Sequence, residues 1–423
     1  MELLHVQVAF RHGARLPGGV WGTCSASHGI SSGSKPEADW RGTMDGKDEV
    51  GNGVRRVRIR APQGAREEFY AYDRIRADGC TWVKDGEGVP VYLSGGLRAG
   101  DLTRRGMQDA YDLGHLLRRL YRDEPALSKV FSSLAPELEV RSTPMRRTIE
   151  TARGVLTGLL DPDDTAATVD IQLNVDHIGK EWMVCIPFDA RADQQLLAHW
   201  EAGWHELKSN PPRQLLQDTE RLTGWTLPDI NDEALEFSCL ISGYDELHCR
   251  LTEGVLAPTN ELLELRDALE TQFALEFATA AEGPAGGVDG RTKGLRMGIG
   301  GMWREQLARI DSVLAGRPVA KMSLYSGHDF TVFPLMCCLL PEWGTGSRDE
   351  FSGANNTKWC PYCGSLETEL WTDGRDHFVR LRYCGQPVPH RFADADGLCT
   401  LAQFKELVGP FVLPLASEVA ARL

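Results

Sequence analysis

The sequence predicts an α/β fold, in which a mostly parallel sheet is flanked by helices and carries a mainly helical cap insertion. Near both ends of the 423-residue chain, short runs rich in β-formers alternate with stretches that repeat apolar residues at the helical period. The middle of the chain instead alternates helical pieces with loops. The length allows two domains, or one domain with a large insertion.

Four ranges describe the expected organisation. An α/β core takes residues 1–160 and 295–423, a cap takes 161–294, and smaller cap elements lie within 18–99. We expect the cap to end in a glycine-rich linker at 282–290. Two cap helices are predicted, at residues 193–207 and 260–278.

The core elements before the cap begin with residues 5–10, an apolar run typical of a strand buried on both faces. Thr103 is a plausible N-cap for a first helix with an apolar stripe. Thr143, with Pro144 at the first helical position, predicts the start of a second helix. Further strands are predicted at 55–59, 68–72 and 138–141.

The core elements after the cap are predicted from the same periodicities. Residues 297–314 form a helix, 321–326 a strand and 331–340 an apolar helix. Residues 364–371 and 377–384 form a hairpin, because the Asp-Gly pair between them tolerates the positive φ of a tight turn.

Charge and hydropathy exclude several classes of partner. The formal net charge of −14 argues against nucleic-acid and anionic-membrane binding, although a local arginine cluster is enough for a small phosphorylated substrate. The mean hydropathy is −0.30, and no run approaches the length of a membrane-spanning helix. No secretory signal precedes the first strand, so we expect either an intracellular protein or a sequence that starts at its mature part. The oligomeric state is not predicted.

The first chemical motif is Arg11-His12-Gly13-Ala14-Arg15-Leu16-Pro17, which comes directly after the first strand. Ligands of open α/β sheets bind at the carboxyl ends of strands. Two guanidinium groups around one histidine can grip phosphate oxygens. A neutral imidazole between them can attack phosphorus and later pass the phosphoryl group to water. A single histidine is more often a structural residue, but the complete motif favours catalysis.

A second motif, His328-Asp329, follows another predicted strand and precedes a helix. Here a histidine can bind phosphate beside the positive end of the helix. The aspartate can protonate a leaving alcohol and then accept a proton from water. Alternatively, Asp329 is only an N-cap. A third segment, residues 141–148, places arginines at a strand end and in a first helical turn, although surface solvation also explains arginines such as Arg146.

Together these segments resemble the histidine acid phosphatase branch of the histidine phosphatase superfamily. The family motifs are Arg-His-Gly-x-Arg-x-Pro, Arg-Ser-Thr-x-x-x-Arg-Thr and a late His-Asp, and all three occur here in that order. Residues 100–107 also resemble the family's Gly-x-Leu-Thr-x-x-Gly-Met segment. The resemblance implies a phosphoglycerate mutase-like core and hydrolysis without a metal or other cofactor.

The resemblance also implies a role for each matching residue. His12 corresponds to the nucleophile and Asp329 to the proton donor. Arg141 matches a family arginine outside the catalytic set and is ranked below Arg147. The remaining matches are phosphate-binding or substrate-binding positions: Arg11, Arg15, Arg147 and His328.

Within the family, residues 6–15, 94–100, 358–359 and 396–399 are most similar to the lysophosphatidic acid phosphatase group. This similarity implies a lysophospholipid substrate. A broad-specificity acid phosphatase and an inositol or sugar phosphate phosphatase are the alternatives, followed by a non-catalytic phosphoester-binding protein. The cap, where leaving-group specificity is expected, shows no clear resemblance.

Two other patterns are discounted. Cys360-Pro361-Tyr362-Cys363 has the spacing of a thiol-disulfide active site, but a strand rather than a helix is predicted to follow it. A disulfide or two ordinary thiols is therefore favoured. Three cap tryptophans, Trp182, Trp200 and Trp204, could line an acyl-chain site, but packing is the more frequent role of such residues.

Overall fold

The structure is a computed structural model. It describes residues 1–17, 41–52, 57–60, 74–75, 82–83, 100–123, 137–160, 169–174, 182–185, 194–209, 212–225, 239–340, 343 and 359–414. Within these ranges, no helix combines the length and the apolar composition needed to cross a membrane.

The strands and helices of these ranges are numbered in chain order. The strands are β1 (Glu2–Arg11), β2 (Val57–Arg60), β3 (Arg74–Ile75), β4 (Trp82–Val83), β5 (Leu138–Ser142), β6 (Val169–Leu173), β7 (Met322–Gly327), β8 (Ser365–Thr372), β9 (His377–Tyr383), β10 (Gln386–Pro387) and β11 (Leu398–Thr400). The helices are α1 (Arg104–Leu117), α2 (Arg146–Leu159), α3 (Gln194–Ser209), α4 (Arg213–Thr223), α5 (Cys239–Thr252), α6 (Asn260–Glu282), α7 (Gly287–Leu314), α8 (Asp329–Leu339) and α9 (Leu401–Val408).

The main sheet has a parallel half and an antiparallel half. Its order is β10-β9-β8-β1-β7-β5-β6-β2, with β11 also paired to β9. The strands from β1 to β2 in that order are parallel, whereas β8 joins β1 in the opposite direction and begins an antiparallel extension. The carboxyl ends of β1, β5 and β7 therefore meet at one edge, together with the beginning of β8.

Alternate side chains of β1 pack on opposite faces of this sheet. Val6, Val8 and Phe10 join the apolar cluster that includes residues of α1 and α2. Ala9 joins the other cluster, which includes residues of α7, α8 and the helices α3 to α6. This period of two is the geometry expected of a strand buried on both faces. The predicted α/β class, with a largely parallel sheet between helices, is confirmed.

Two predicted boundaries are wrong. Strand β6 lies inside the range 161–294 assigned to the cap, but it pairs in parallel with β5 in the main sheet. Helix α7 starts at Gly287, so the range 282–290 is not a linker throughout. Glycine here permits close packing, because a Cβ on Gly294 would lie 2.1 Å from the carbonyl oxygen of Ala281. The rest of the division into core and cap stays a prediction.

The predicted cap of α2 is also wrong. The helix begins at Arg146 with Met145 as its N-cap residue, rather than at Thr143 and Pro144. The Thr143 hydroxyl lies 2.9 Å from the Nε2 atom of His328 and 2.9 Å from the hydroxyl of Thr148 in the first turn of α2, so it links the helix to His328. The strand predicted at 55–59 is found as β2, shifted toward Arg60, and the one predicted at 68–72 lies outside the described residues.

Candidate active site

The candidate site lies at the edge of the sheet where β1, β5 and β7 end. The amide of His12 donates to the carbonyl of Gly327 at 3.0 Å, which continues the β1–β7 pairing beyond the strands. The amide of Thr143 donates to the carbonyl of Ser326 at 3.1 Å, on the other side of β7. The loops that carry the three predicted motifs therefore leave the sheet side by side.

The first motif is pressed against the start of α1. A Cβ on Gly106 would lie 1.9 Å from the carbonyl oxygen of Ala14, and a Cβ on Gly13 would lie 2.1 Å from the carbonyl oxygen of Gly106. No side chain fits at either position, so both must be glycine. The amide of Thr103 also donates to Ala14 at 3.1 Å. These contacts explain why the segment at 100–107 accompanies the first motif.

The His12 ring is neutral and its tautomer follows from its neighbours. Burial, reinforced by three nearby arginines, lowers the pKa of His12 well below its usual value. Its Nδ1 lies 2.9 Å from the carbonyl oxygen of Gly13, and a carbonyl can only accept, so Nδ1 carries the proton. The Nε2 atom then keeps its lone pair. The ring centroid is 5.4 Å from that of His328, so both predicted histidines share the site.

The first arginine, Arg11, contacts Asp329 and the segment before β8. Its Nη2 lies 2.9 Å from Oδ2 of Asp329, and its Nη1 donates to the carbonyl of Cys360. The guanidinium carbon stands 4.3 Å from the centre of the Tyr362 ring, a cation–π distance. Its Nε is buried and has no hydrogen-bond partner in the described part of the chain.

The second arginine, Arg15, is gripped by a carboxylate from α5. Its Nη2 lies 2.7 Å from Oδ1 of Asp245, and its Nη1 lies 3.2 Å from Oδ2. Its Nη1 also donates to the carbonyl of Leu16 at 2.9 Å. As in Arg11, Nε is buried without a partner among the described residues. A buried unpaired donor costs about 1–3 kcal/mol, so these two atoms favour an acceptor from a ligand.

The third arginine, Arg147, stands beside His328. Its Nη2 is 3.4 Å from Nδ1 of His328, whose Nε2 is 2.9 Å from Oγ1 of Thr143. A guanidinium only donates, so Nδ1 accepts and Nε2 donates to Thr143. Burial lowers the pKa of His328 well below its usual value, and Arg147 adds to this effect. Burial and the Arg15 charge lower the pKa of Arg147 to about 9, which leaves it charged at neutral pH.

The carboxylate of Asp329 is held by three donors. Besides Arg11, the indole Nε1 of Trp359 donates to Oδ2 at 3.1 Å, and the amide of Phe330 donates to Oδ1 at 3.0 Å. Trp359 is itself fixed by aromatic packing, with its ring centroid 4.0 Å from that of Phe333. The structure therefore orients Asp329 through its own loop, an arginine and a buried indole.

All six residues predicted from the motifs lie together, while the other two arginines of the third segment do not join them. Arg141 pairs with Glu139 at 2.9 Å and lies over the Trp182 ring. Arg146 pairs with Glu150 at 3.1 Å on the next turn of α2. Both arginines are therefore held in ion pairs outside the pocket.

Three residues that contact the site were not predicted from the sequence. Tyr362 and Trp359 precede β8, and their place in the site follows from the antiparallel pairing of β8 with β1, which brings Ser365 opposite Phe10. Asp245 carries no motif, and only the folded position of α5 reveals it. Arg147, Asp245 and Tyr362 are partly exposed, so they form the accessible part of an otherwise buried site.

The two discounted patterns have structural roles in the described residues. Cys360 and Cys363 are free thiols, and the predicted strand follows them as β8. Burial raises the pKa of both thiols above the ordinary value, the opposite of a reactive cysteine. Trp200 is buried against Phe277, as expected for core packing. The side chain of Trp204 lies outside the described part. No group of three or more metal-binding side chains occurs in the ranges described.

Comparison with known proteins connects this site to a family. The histidine phosphatase superfamily (branch 2) matches residues 2–184 and 288–384. Lysophosphatidic acid phosphatase type 6 of Bos taurus is 23% identical over 430 residues, which cover 98% of this chain and 84% of that protein. Prostatic acid phosphatase of Homo sapiens is 23% identical over 329 residues, which cover 74% of this chain and 77% of that protein.

Solved structures show the same fold. The phytase of Klebsiella sp ASR1 superimposes with a TM-score of 0.51 at 14% identity, and the match covers 98% of each chain. The Hafnia alvei phytase in complex with tartrate has a TM-score of 0.51 at 15% identity, again over 98% of each chain. The family match spans well over half of the sequence and includes all three motifs. The chain therefore belongs to branch 2 of the histidine phosphatase superfamily, and it is a phosphatase.

Proposed function

We propose that the protein hydrolyses phosphomonoesters through a phosphohistidine formed on Nε2 of His12. The observation that supports this most strongly is a neutral histidine, with its Nδ1 proton committed to Gly13, lying among three charged arginines. A protonated imidazole could not attack phosphorus, and burial and the arginine charges keep this ring deprotonated.

The arginines bind and stabilise the phosphoryl group. The unpaired Nε donors of Arg11 and Arg15 hydrogen-bond two of its oxygens, and Arg147 binds a third. His328 lines the pocket and orients Arg147 through the contact between its Nδ1 and the guanidinium. Charge spreads over the equatorial oxygens in the transition state, so fixed donors around them lower the barrier. The buried position of the site strengthens these interactions, because the effective dielectric constant there is lower than in water.

Asp329 serves as the acid and then as the base. In the first step the bond between Nε2 of His12 and phosphorus forms, the ester P–O bond breaks, and the leaving oxygen takes a proton from Asp329. In the second step water attacks phosphorus and gives a proton to Asp329, while the bond to His12 breaks. A phosphomonoester that binds at Arg11 competes with the Asp329 carboxylate for the guanidinium. The carboxylate then takes up the proton of the bound monoester monoanion, and this is the proton that it gives to the leaving oxygen.

For the substrate, we propose lysophosphatidic acid or a related lysophospholipid, on the basis of the type 6 relatives. Two of the three arginines already face carboxylates, which leaves little positive charge for additional phosphates. This argues against inositol polyphosphates, and at 14–15% identity the likeness to the phytases is evidence for the fold alone. A broad-specificity acid phosphatase or a sugar phosphate phosphatase is the second candidate. A non-catalytic phosphoester-binding protein is disfavoured because every predicted catalytic position is occupied.

The mechanism and the substrate are both tested by measuring phosphate release from lysophosphatidic acid, glycerol phosphate, p-nitrophenyl phosphate and phytate. We expect kcat/KM to be highest for lysophosphatidic acid and activity to be lost in His12→Ala. His377→Ala, at the start of β9, is the matched histidine control and should be fully active. Turnover of p-nitrophenyl phosphate alone would refute the lipid substrate. Full activity of His12→Ala would refute the mechanism.

A further inference from the structure

The ion pair between Arg15 and Asp245 joins two parts of the molecule that are 230 positions apart in sequence. Asp245 belongs to α5, within the stretch 185–287 that the family match leaves out. Both of its carboxylate oxygens bind the same guanidinium, at 2.7 and 3.2 Å. Bidentate pairs of this kind fix the orientation of a guanidinium as well as its position.

The nitrogen atoms of Arg15 that Asp245 contacts determine which edge of the guanidinium stays unpaired. Asp245 takes the two terminal nitrogens of Arg15, and the carbonyl of Leu16 shares one of them. The Nε donor remains buried and unpaired among the described residues. A guanidinium has five N–H donors in a rigid plane, so a carboxylate on its terminal edge leaves the edge that contains Nε available to an anion.

The two members of the pair differ in exposure. The Arg15 side chain is 7% exposed and that of Asp245 is 25% exposed. Asp245 therefore lies at the accessible side of the pocket, and Arg15 lies deeper in the protein. A second α5 residue also contacts the pair, since Sγ of Cys249 donates to Oδ1 of Asp245 at 3.9 Å.

We propose that Asp245 is a positioning residue, which holds the Nε edge of Arg15 toward the phosphoryl group during transfer. The proposal rests on the proposed function of Arg15. Asp245 acts through the arginine and does not touch the reacting atoms. Its charge has a second, opposing effect, because it weakens the attraction of the pocket for free phosphate and so favours product release.

These two effects predict an unusual pair of kinetic changes in Asp245→Asn. The turnover number kcat for p-nitrophenyl phosphate should fall about 10- to 100-fold, since small misplacements of a catalytic group have effects of this size. The inhibition constant of inorganic phosphate should fall at least about threefold, because a negative charge beside the anion is removed. Asp245→Ala, which retains no acceptor for Arg15, should lower kcat further than Asp245→Asn.

A neighbouring carboxylate provides the matched control. Glu246→Gln removes a charge from the same turn of α5, but Glu246 pairs with Arg250 on its own helix. This variant should keep both constants within about twofold of the wild type. In an Arg15→Lys background, where the bidentate contact is absent, Asp245→Asn should change kcat little further.

Two results would overturn the proposal. One is a kcat in Asp245→Asn within threefold of the wild type. The other is a lower kcat with an unchanged inhibition constant, which indicates only a smaller folded fraction. Binding of phosphate is also measured independently of turnover, by the rise in Tm that it causes. Failure of the proposed function is distinguishable, because the wild type would then form no phosphoenzyme on His12 whatever Asp245 does.

Discussion

The pocket contains two arginine–aspartate pairs that look alike but are attached differently. Arg11 ends β1 and Asp329 begins α8 just after the adjacent strand β7, and both side chains are almost completely buried, at 2% and 10% exposure. Arg15 and Asp245 join the first motif to α5, and the aspartate is partly open to solvent. Asp329 also accepts hydrogen bonds from Phe330 and Trp359, so its orientation does not depend on its arginine.

This difference assigns the two aspartates different tasks: one transfers a proton, and the other orients an arginine. A carboxylate that several donors orient can give up its arginine to a phosphate and remain in place for proton transfer. A carboxylate that contacts one guanidinium with both of its oxygens instead controls the orientation of that arginine. The same pair of residue types thus serves proton transfer in one case and guanidinium orientation in the other.

Asp329→Asn should show the largest difference between the roles of the two aspartates. Without an acid, esters with poor leaving groups such as glycerol phosphate should be hydrolysed about 10²- to 10⁴-fold more slowly. p-Nitrophenyl phosphate, whose leaving group needs little protonation, should lose much less. Asp245→Asn should slow both substrates equally. Rates of both variants on both esters test this, and equal slowing in Asp329→Asn would contradict its role as the acid.

Gly106→Ala disturbs the backbone contact between α1 and Ala14 of the first motif without changing any charged group. Alanine favours a helix by about 1 kcal/mol over glycine, but its Cβ would lie 1.9 Å from the Ala14 carbonyl. The clash should outweigh the helical gain, with a net loss of about 1–3 kcal/mol and a clear fall in kcat. Gly42→Ala, where nothing lies within 4 Å, should be neutral. Equal Tm and kcat in both variants would contradict the close contact.

The pH dependence tests the environment that both pairs create around His12. Burial and the arginines lower its pKa, so the neutral form persists on the acid side of 6.5. A histidine with an ordinary pKa of 6.5 would be only about 3% neutral at pH 5. We expect kcat/KM for p-nitrophenyl phosphate to show no acid limb near 6.5. A limb at that value would mean that the ring is not shielded in this way.

Cys363→Ser should have the smallest effect. The segment before β8 touches the catalytic residues through its backbone, since the Cys363 amide donates to His12 at 3.2 Å and Arg11 binds the Cys360 carbonyl. Activity should stay within about twofold, with or without a thiol reductant. A larger loss would indicate that the thiol itself takes part.

The sequence predicted the parts of the molecule that depend on local patterns. β1, β7 and the β8–β9 hairpin followed from apolar runs and an Asp-Gly turn, and the six pocket residues followed from motifs at strand ends. Long-range pairing was not predictable in the same way. Strand β6 is only five residues long and its partner β5 lies on the other side of α2 in the sequence, and Asp245 is one of two acidic residues of α5. Only the tertiary packing gives them their roles.

The proposed mechanism requires that His12 becomes covalently phosphorylated. The most direct test is rapid quenching of the wild type with a ³²P-labelled monoester, followed by mapping of the label. We expect an acid-labile phosphoramidate on the peptide that contains His12, and no label in His12→Ala. Label on another residue, or turnover without a trapped intermediate even when its hydrolysis is slowed by Asp329→Asn, would contradict it.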